Sequence, residues 1–160
     1  MVTKLPARDL DEAFVVMAQL ESLCARLCAA NLSGAKLHDL MELHRQGDEA
    51  AQYDAVDAYR IHNERFHAAI YHGSGNAFLE RTTLSVRRSL APFRDLQFEG
   101  FKRPEASHRE HGAIVDAIVA GEGERASASM RKHILTVRRA IDAVEPGDHG
   151  DEAARPSDPE

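Results

Sequence analysis

The chain has 160 residues, 43% hydrophobic and 29% charged, with a formal net charge of −6. That length supports one domain with a buried core, and that charge excludes a basic surface made for non-specific nucleic-acid binding. The charge is also uneven: residues 145–160 hold six acids and one base, which leaves −1 for the remainder, where Arg87, Arg88 and Arg94 form the nearest thing to a basic cluster.

No unbroken apolar run approaches the ~18 residues of a membrane span. The opening "MVTKLPARDLDEAF" lacks the apolar core of a signal peptide. Both features predict a cytoplasmic protein with no membrane partner. Residues 1–8 read as a short lead. The final stretch, "EPGDHGDEAARPSDPE", reads as a disordered acidic tail.

In chain order, Val16, Leu20, Leu23 and Leu27 recur at steps of three and four, which predicts an amphipathic helix from Asp11 to about Ala30. Cys24 and Cys28 share a face of it and read as small buried residues, with a disulfide or a metal pair as the alternatives. Ser33 is the expected cap of a second helix, which carries Leu37, Leu40, Met41 and His44 toward Gly47. A third helix, from Ala51 to Tyr71, has Val56, Tyr59, Asn63, Phe66, His67 and Ile70 on its inner stripe.

"HGSGN" (residues 72–76) is a loop by composition. Leu79, Thr83, Val86 and Leu90 mark a fourth helix, interrupted at Pro92. Pro104 suits the first turn of a fifth, with His111, Ile114, Val115 and Ile118 inward and Gly121 at its end. The last helix presents Ala126, Met130, His133, Val137, Ala140 and Val144. The pattern contains no strand, repeat or phosphate-binding glycine loop. It predicts an all-α antiparallel bundle of about six helices over residues 9–144.

Three of these stripes carry ligand-type side chains among apolar ones. The third helix brings Asn63 and His67, the fifth His111 and the sixth His133. A buried imidazole is costly unless its nitrogens find partners. Single cases are satisfied by a carbonyl, a carboxylate or water. Several on facing helices match the way bundles build metal sites, and an oxygen donor four residues before a histidine stacks on the same helical face. The histidines at 38, 44, 62, 72, 108 and 149 fall mostly off the stripes and read as surface residues.

Residues 9–144 resemble the FCD domain, the C-terminal effector-binding domain of FadR-type regulators in the GntR family. "QLESLCARLCAA" looks like that family's opening helix. "NERFHAAIYHGSGNAFL" looks like its D-x-x-F-H motif and GN turn, and "EHGAIVDAIVAGEGERASASMRKHI" is similar to its E-H helix and closing histidine. The resemblance implies a divalent metal held by Asn63, His67, His111 and His133, with Asn63 standing where the family has aspartate. A neutral amide is the weaker donor, so the resemblance also implies weakened metal binding and a site more open to an anion. The ion expected is zinc or nickel, with manganese, iron or copper as further candidates.

The effectors implied are small organic acids or sugar acids. Arg87 and Arg94 lie on or near the fourth stripe and are the expected carboxylate anchors, with Asn63 beside them; Arg60 and Arg88 are weaker candidates. A homodimer is also implied. Family members carry a winged helix-turn-helix ahead of this domain. Met1 here precedes the bundle directly, which implies a fragment or a stand-alone sensor and no DNA reading by this chain alone.

Two other classes remain. A ferritin-like or hydrolytic metalloenzyme is suggested by the steps Glu64–His67 and Glu105–His108, with Glu21 or Glu80 as added carboxylates. A ligand-free dimerisation module with satisfied core histidines is the other.

Overall fold

The computed structural model describes residues 6–144, so the acidic tail and the first residues lie outside the described residues. Six long helices carry the architecture: α1 (Ala7–Asn31), α2 (Gly34–Arg45), α4 (Val56–Gly73), α5 (Ala77–Ser89), α7 (Arg103–Val119) and α8 (Gly123–Val144). Two short helices, α3 (Asp48–Gln52) and α6 (Ala91–Arg94), and a 3-10 helix (Asp95–Glu99) complete it. No strand occurs among the described residues.

The breaks follow local chemistry. Asp54 takes a left-handed φ of 52° between α3 and α4, which splits the single helix expected from Ala51 to Tyr71. Asn76 caps α5 by accepting a hydrogen bond from the Leu79 N–H at 3.0 Å. Ser33 occupies the cap position of α2, but its side chain makes no capping bond. Proline stands in the first turn of both α6 and α7. Gly121, at φ +70°, turns the chain from α7 into α8.

The two longest helices run antiparallel. Asp11, near the start of α1, pairs with Arg138 late in α8, while Arg26, late in α1, pairs with Glu124 at the start of α8. Between these ends α1 contributes Phe14, Met17, Ala18, Cys24, Ala25 and Cys28 to a core shared with α4, α5, α7 and α8. Both cysteines are buried free thiols, and burial pushes Cys24 up to about 11 and Cys28 to about 12.

The buried face of α1 is rotated from the one its large aliphatics predict. Val16 is 52% and Leu23 41% exposed, while small residues at 18, 22, 24, 25, 28 and 29 face inward. Small side chains let α8 approach α1 closely, and close approach fills the interior better than a leucine seam with gaps. Met41 is likewise exposed.

α1 also holds an 18-residue window of mean hydropathy 1.5, long and apolar enough to cross a membrane, which corrects the expectation that no such segment exists. Half of that window is buried in the bundle.

Candidate metal centre

α4, α7 and α8 bring His67, His111 and His133 to one point. Each offers a ring nitrogen, and the three lie within 4.8 Å of one another, all buried. The helical periods seen in the sequence account for this. His67 follows Phe66 into the core, His111 precedes Ile114 and Val115 by about one turn, and His133 follows Met130.

What the periods do not show is how the rings are held. His67 Nδ1 lies 2.6 Å from Glu21 Oε2, and His133 Nδ1 lies 2.5 Å from Glu110 Oε2. An ionised carboxylate only accepts, so both Nδ1 atoms carry the proton. Tyr59 donates its hydroxyl to Ser107 Oγ at 3.2 Å, which leaves its oxygen to accept from His111 Nδ1 at 3.4 Å. Nδ1 is thus the donor on His67 and His133, and their Nε2 atoms are left with lone pairs. His111 Nε2 and His133 Nε2 face each other at 3.2 Å, a contact met by a proton on His111 Nε2 or by a cation between the rings. The donor set therefore fits a metal, with orienting carboxylates of the kind that fix metal-binding imidazoles.

Electrostatics support neutral rings at His67 and His111. Burial pushes His67 down to about 4, with nearby Arg87 adding to the effect and Glu21 opposing it. His111 is lowered further by burial and by the neighbouring His133. Burial opposes ionisation of Glu21, but His67 and Arg87 outweigh it and hold the carboxyl well below its usual range. Glu110 is held at about 2, where bonds from His133 and Arg103 overcome the same burial.

Asn63 is buried one turn before His67 and lines a closed cavity with His67, His133, Arg87, Arg94, Gln97 and apolar residues of α1 and α8. That cavity has no room for a free water. His111 stands behind it. Both expected anchor arginines are buried, and both are already engaged. Arg87 reaches Glu21 at 3.1 Å and Glu64 at 2.9 Å, and Arg94 reaches Glu64 at 2.8 Å. Of the weaker candidates, Arg88 is exposed and Arg60 donates to the Asp95 carbonyl.

Sequence reading offered Glu21 only as an added carboxylate of a two-metal enzyme site and missed its pairing with His67 and Arg87. Glu21 is a fully buried acid touching both a candidate ligand and a candidate anchor. Its signal was its place in the small-residue face of α1, three residues from Ala18 and Cys24.

The remaining histidines are not all at the surface. His62 is buried, and His44 and His108 are half-buried and stacked with ring centroids 4.2 Å apart. His44 Nδ1, His62 Nε2 and His108 Nδ1 are buried without a hydrogen-bond partner.

Among the described residues, the carboxylates proposed for a two-metal site do not converge. Glu64 faces the arginines, Glu80 lies 3.4 Å from His72, and Glu21 holds the far side of the His67 ring.

Comparison with known proteins agrees with this architecture. The FCD domain profile matches residues 12–136. Among solved structures, the chain superposes on E. coli McbR/YncC with a TM-score of 0.78 at 19% identity, covering 88% of this chain and 67% of that one. It superposes on the metal-free FCD domain of TM0439 with a TM-score of 0.74 at 18% identity, covering 89% and 98%. No curated protein matches it in sequence. The chain belongs to the FCD domain family, the non-enzymatic sensing domains of GntR-type transcription regulators.

Proposed function

We propose that residues 9–144 form a cytoplasmic sensor that holds one divalent metal on His67, His111 and His133, with Asn63 as an oxygen donor, and binds a small carboxylate beside it. The observation that carries this reading is the convergence of three buried imidazoles whose ring nitrogens lie within 4.8 Å of one another. Glu21, Tyr59 and Glu110 hold the Nδ1 side of each ring, which leaves Nε2 as the atom to face an ion. Zinc or nickel suits such an imidazole set; manganese or iron is less favoured by it.

Charge balance points to the class of effector. The carboxylates of Glu21, Glu64 and Glu110 are matched by Arg87, Arg94 and Arg103. A divalent ion added to this neutral set brings two positive charges, and an organic or sugar acid offsets them while filling an open coordination position. Arg87 and Arg94 are the side chains placed to orient that acid. Val16 and Leu23, exposed on α1, offer apolar surface to a second copy, in keeping with a homodimer. DNA contact is not a role of these residues.

Metal analysis of freshly purified protein, followed by melting curves with a panel of organic and sugar acids, tests the reading. About one ion per chain and a metal-dependent rise in Tm with an acid are expected. A ligand at a hundred times its Kd stabilises by about 2.7 kcal/mol. Absence of metal, or a flat response to the whole panel with metal present, refutes it.

A further inference from the structure

The closed cavity and the engaged arginines pose a problem for the sensor just described: a carboxylate has nowhere to go. Glu64 supplies an answer. Its side chain is 49% exposed, yet its carboxylate points inward. Oε1 accepts from Arg87 at 2.9 Å and Arg94 at 2.8 Å, and Oε2 accepts from Arg87 Nε at 3.2 Å. This is the two-pronged grip that guanidinium groups give to a bound acid. All three nitrogens of Arg87 are taken, two by Glu64 and one by Glu21.

On the solvent side of Glu64 lies an open cleft of about 300 Å³ lined by Arg60, Ile61, Glu64, Arg88, Ala91, Arg94 and Asp95. Arg94 belongs to both this cleft and the closed cavity and forms part of the wall between them. The cleft presents the guanidiniums of Arg60, Arg88 and Arg94, and Asp57 lies 3.7 Å from Arg60 at its edge. Arg60 Nε beside it is buried without a partner.

We propose that Glu64 is an internal carboxylate that occupies the Arg87–Arg94 pair in the ligand-free domain and is displaced by a carboxylate arriving through the Arg60–Arg88–Arg94 cleft. The exchange replaces one ion pair by another, so the arginines are never left bare. The half-exposed Glu64 side chain has solvent to swing into. Two guanidiniums grip Glu64 through three hydrogen bonds, so a competing anion is what releases it. Glu64 sets the threshold concentration of effector, because apparent affinity falls by the fraction of domains in which the arginines are free.

This inference rests on the carboxylate reading above. The test uses the zinc-loaded full chain and acetate, the smallest probe carrying the shared group, against sodium chloride at equal ionic strength. NMR titration of the arginine Nε–Hε signals reports both Kd and location. Glu64→Gln is expected to bind acetate about tenfold or more tightly than the wild type, through Arg87 and Arg94. Glu64→Asp, too short to span both arginines but still charged, is expected to fall between; it decides the matter if Glu64→Gln does not fold by circular dichroism. Acetate binding to the wild type with no gain in either variant overturns the displacement and leaves the carboxylate reading standing. Absence of binding in wild type and variants alike removes both.

Discussion

Among the described residues, two clusters of three histidines differ in what stands behind the rings. In the central one, His67, His111 and His133 each have Nδ1 held by a named partner, and the free nitrogens converge. In the outer one, His44, His62 and His108 pack against each other and against Phe66 and Tyr59, and each leaves a buried nitrogen unpartnered. His108 is also tied through Nε2 to the exposed Asp48 at 2.7 Å. Proximity of imidazoles does not by itself make a metal site. Carboxylates or hydroxyls must first fix which nitrogen faces the ion.

The sharpest way to break this contrast is to remove one ring from each cluster. His111→Ala deletes a donor from a set of three and is expected to lose nearly all zinc in calorimetric titration. His108→Ala is expected to leave zinc affinity unchanged. Equal losses would mean that the outer cluster shares the ion.

Next in size is Glu21→Gln. An amide still meets the His67 ring but no longer balances Arg87, and a buried pair broken on one side costs about 3–5 kcal/mol. Loss of an orienting partner weakens metal binding by about 10–100-fold. Urea unfolding with chelator measures the first effect and titration with zinc the second. A variant with wild-type stability would show that Glu21 is not ionised in the folded chain.

Glu21 also marks the limit of what the sequence made legible. The six long helices followed from apolar spacing, and Pro104 and Gly121 stand at the α7 start and the α7–α8 turn as read. Asn63, His67, His111 and His133 stood out because each interrupts an otherwise apolar stripe, and the structure brings the three histidines together with Asn63 beside them. The face of α1 was misread because hydropathy weights valine and leucine, whereas helix packing there selects alanine, serine and cysteine. The only local signal of Glu21 was its place on the small-residue face of α1, and that face was the one misread. Glu21's partners, His67 and Arg87, lie 46 and 66 residues away, and only the fold brings them into contact. The same holds for His62. Off the stripe as read, it is covered by Gly47, where an added Cβ would sit 2.3 Å from Nε2.

Acid sharpens the comparison further. Burial pushes His44 and His62 down to about 4, with His108 adding to both, and His67 also lies near 4. Their ordinary value is 6.5, so between about pH 6.5 and 4 the unfolded chain takes up protons that the folded chain refuses. The stability of the metal-free domain therefore falls as pH falls through that window, by at most about 1.4 kcal/mol per pH unit for each such proton. His44→Phe keeps a ring against His108 and Phe66 while removing one titrating group, and is expected to flatten the profile. Urea midpoints from pH 7 to pH 4 decide. An unchanged slope would place His44 in water in the folded state.

The smallest effect expected is that of Asn63→Asp. The change puts a charged oxygen one turn before His67, and carboxylate outranks amide as a donor to a divalent cation. Glu21 and Glu110 already place negative charge one ring beyond the proposed metal position, although Arg87 and Arg103 balance them. The gain is therefore predicted to be about tenfold or less in zinc affinity. Without metal, the new carboxylate sits buried beside His67 and His133. It has Arg94 in the same cavity as a possible partner, but Glu64 holds that guanidinium. An unpaired buried carboxylate is unfavourable, so the chelated domain is expected to melt at a lower temperature than wild type and the zinc-loaded domain at a higher one. The added negative charge should also repel an incoming acid, so acetate binding to the zinc form should weaken. Opposite shifts of Tm with and without chelator identify Asn63 as a metal-facing residue. Shifts of the same sign in both states would place its side chain outside the metal's reach and leave the three imidazoles to hold the ion with water.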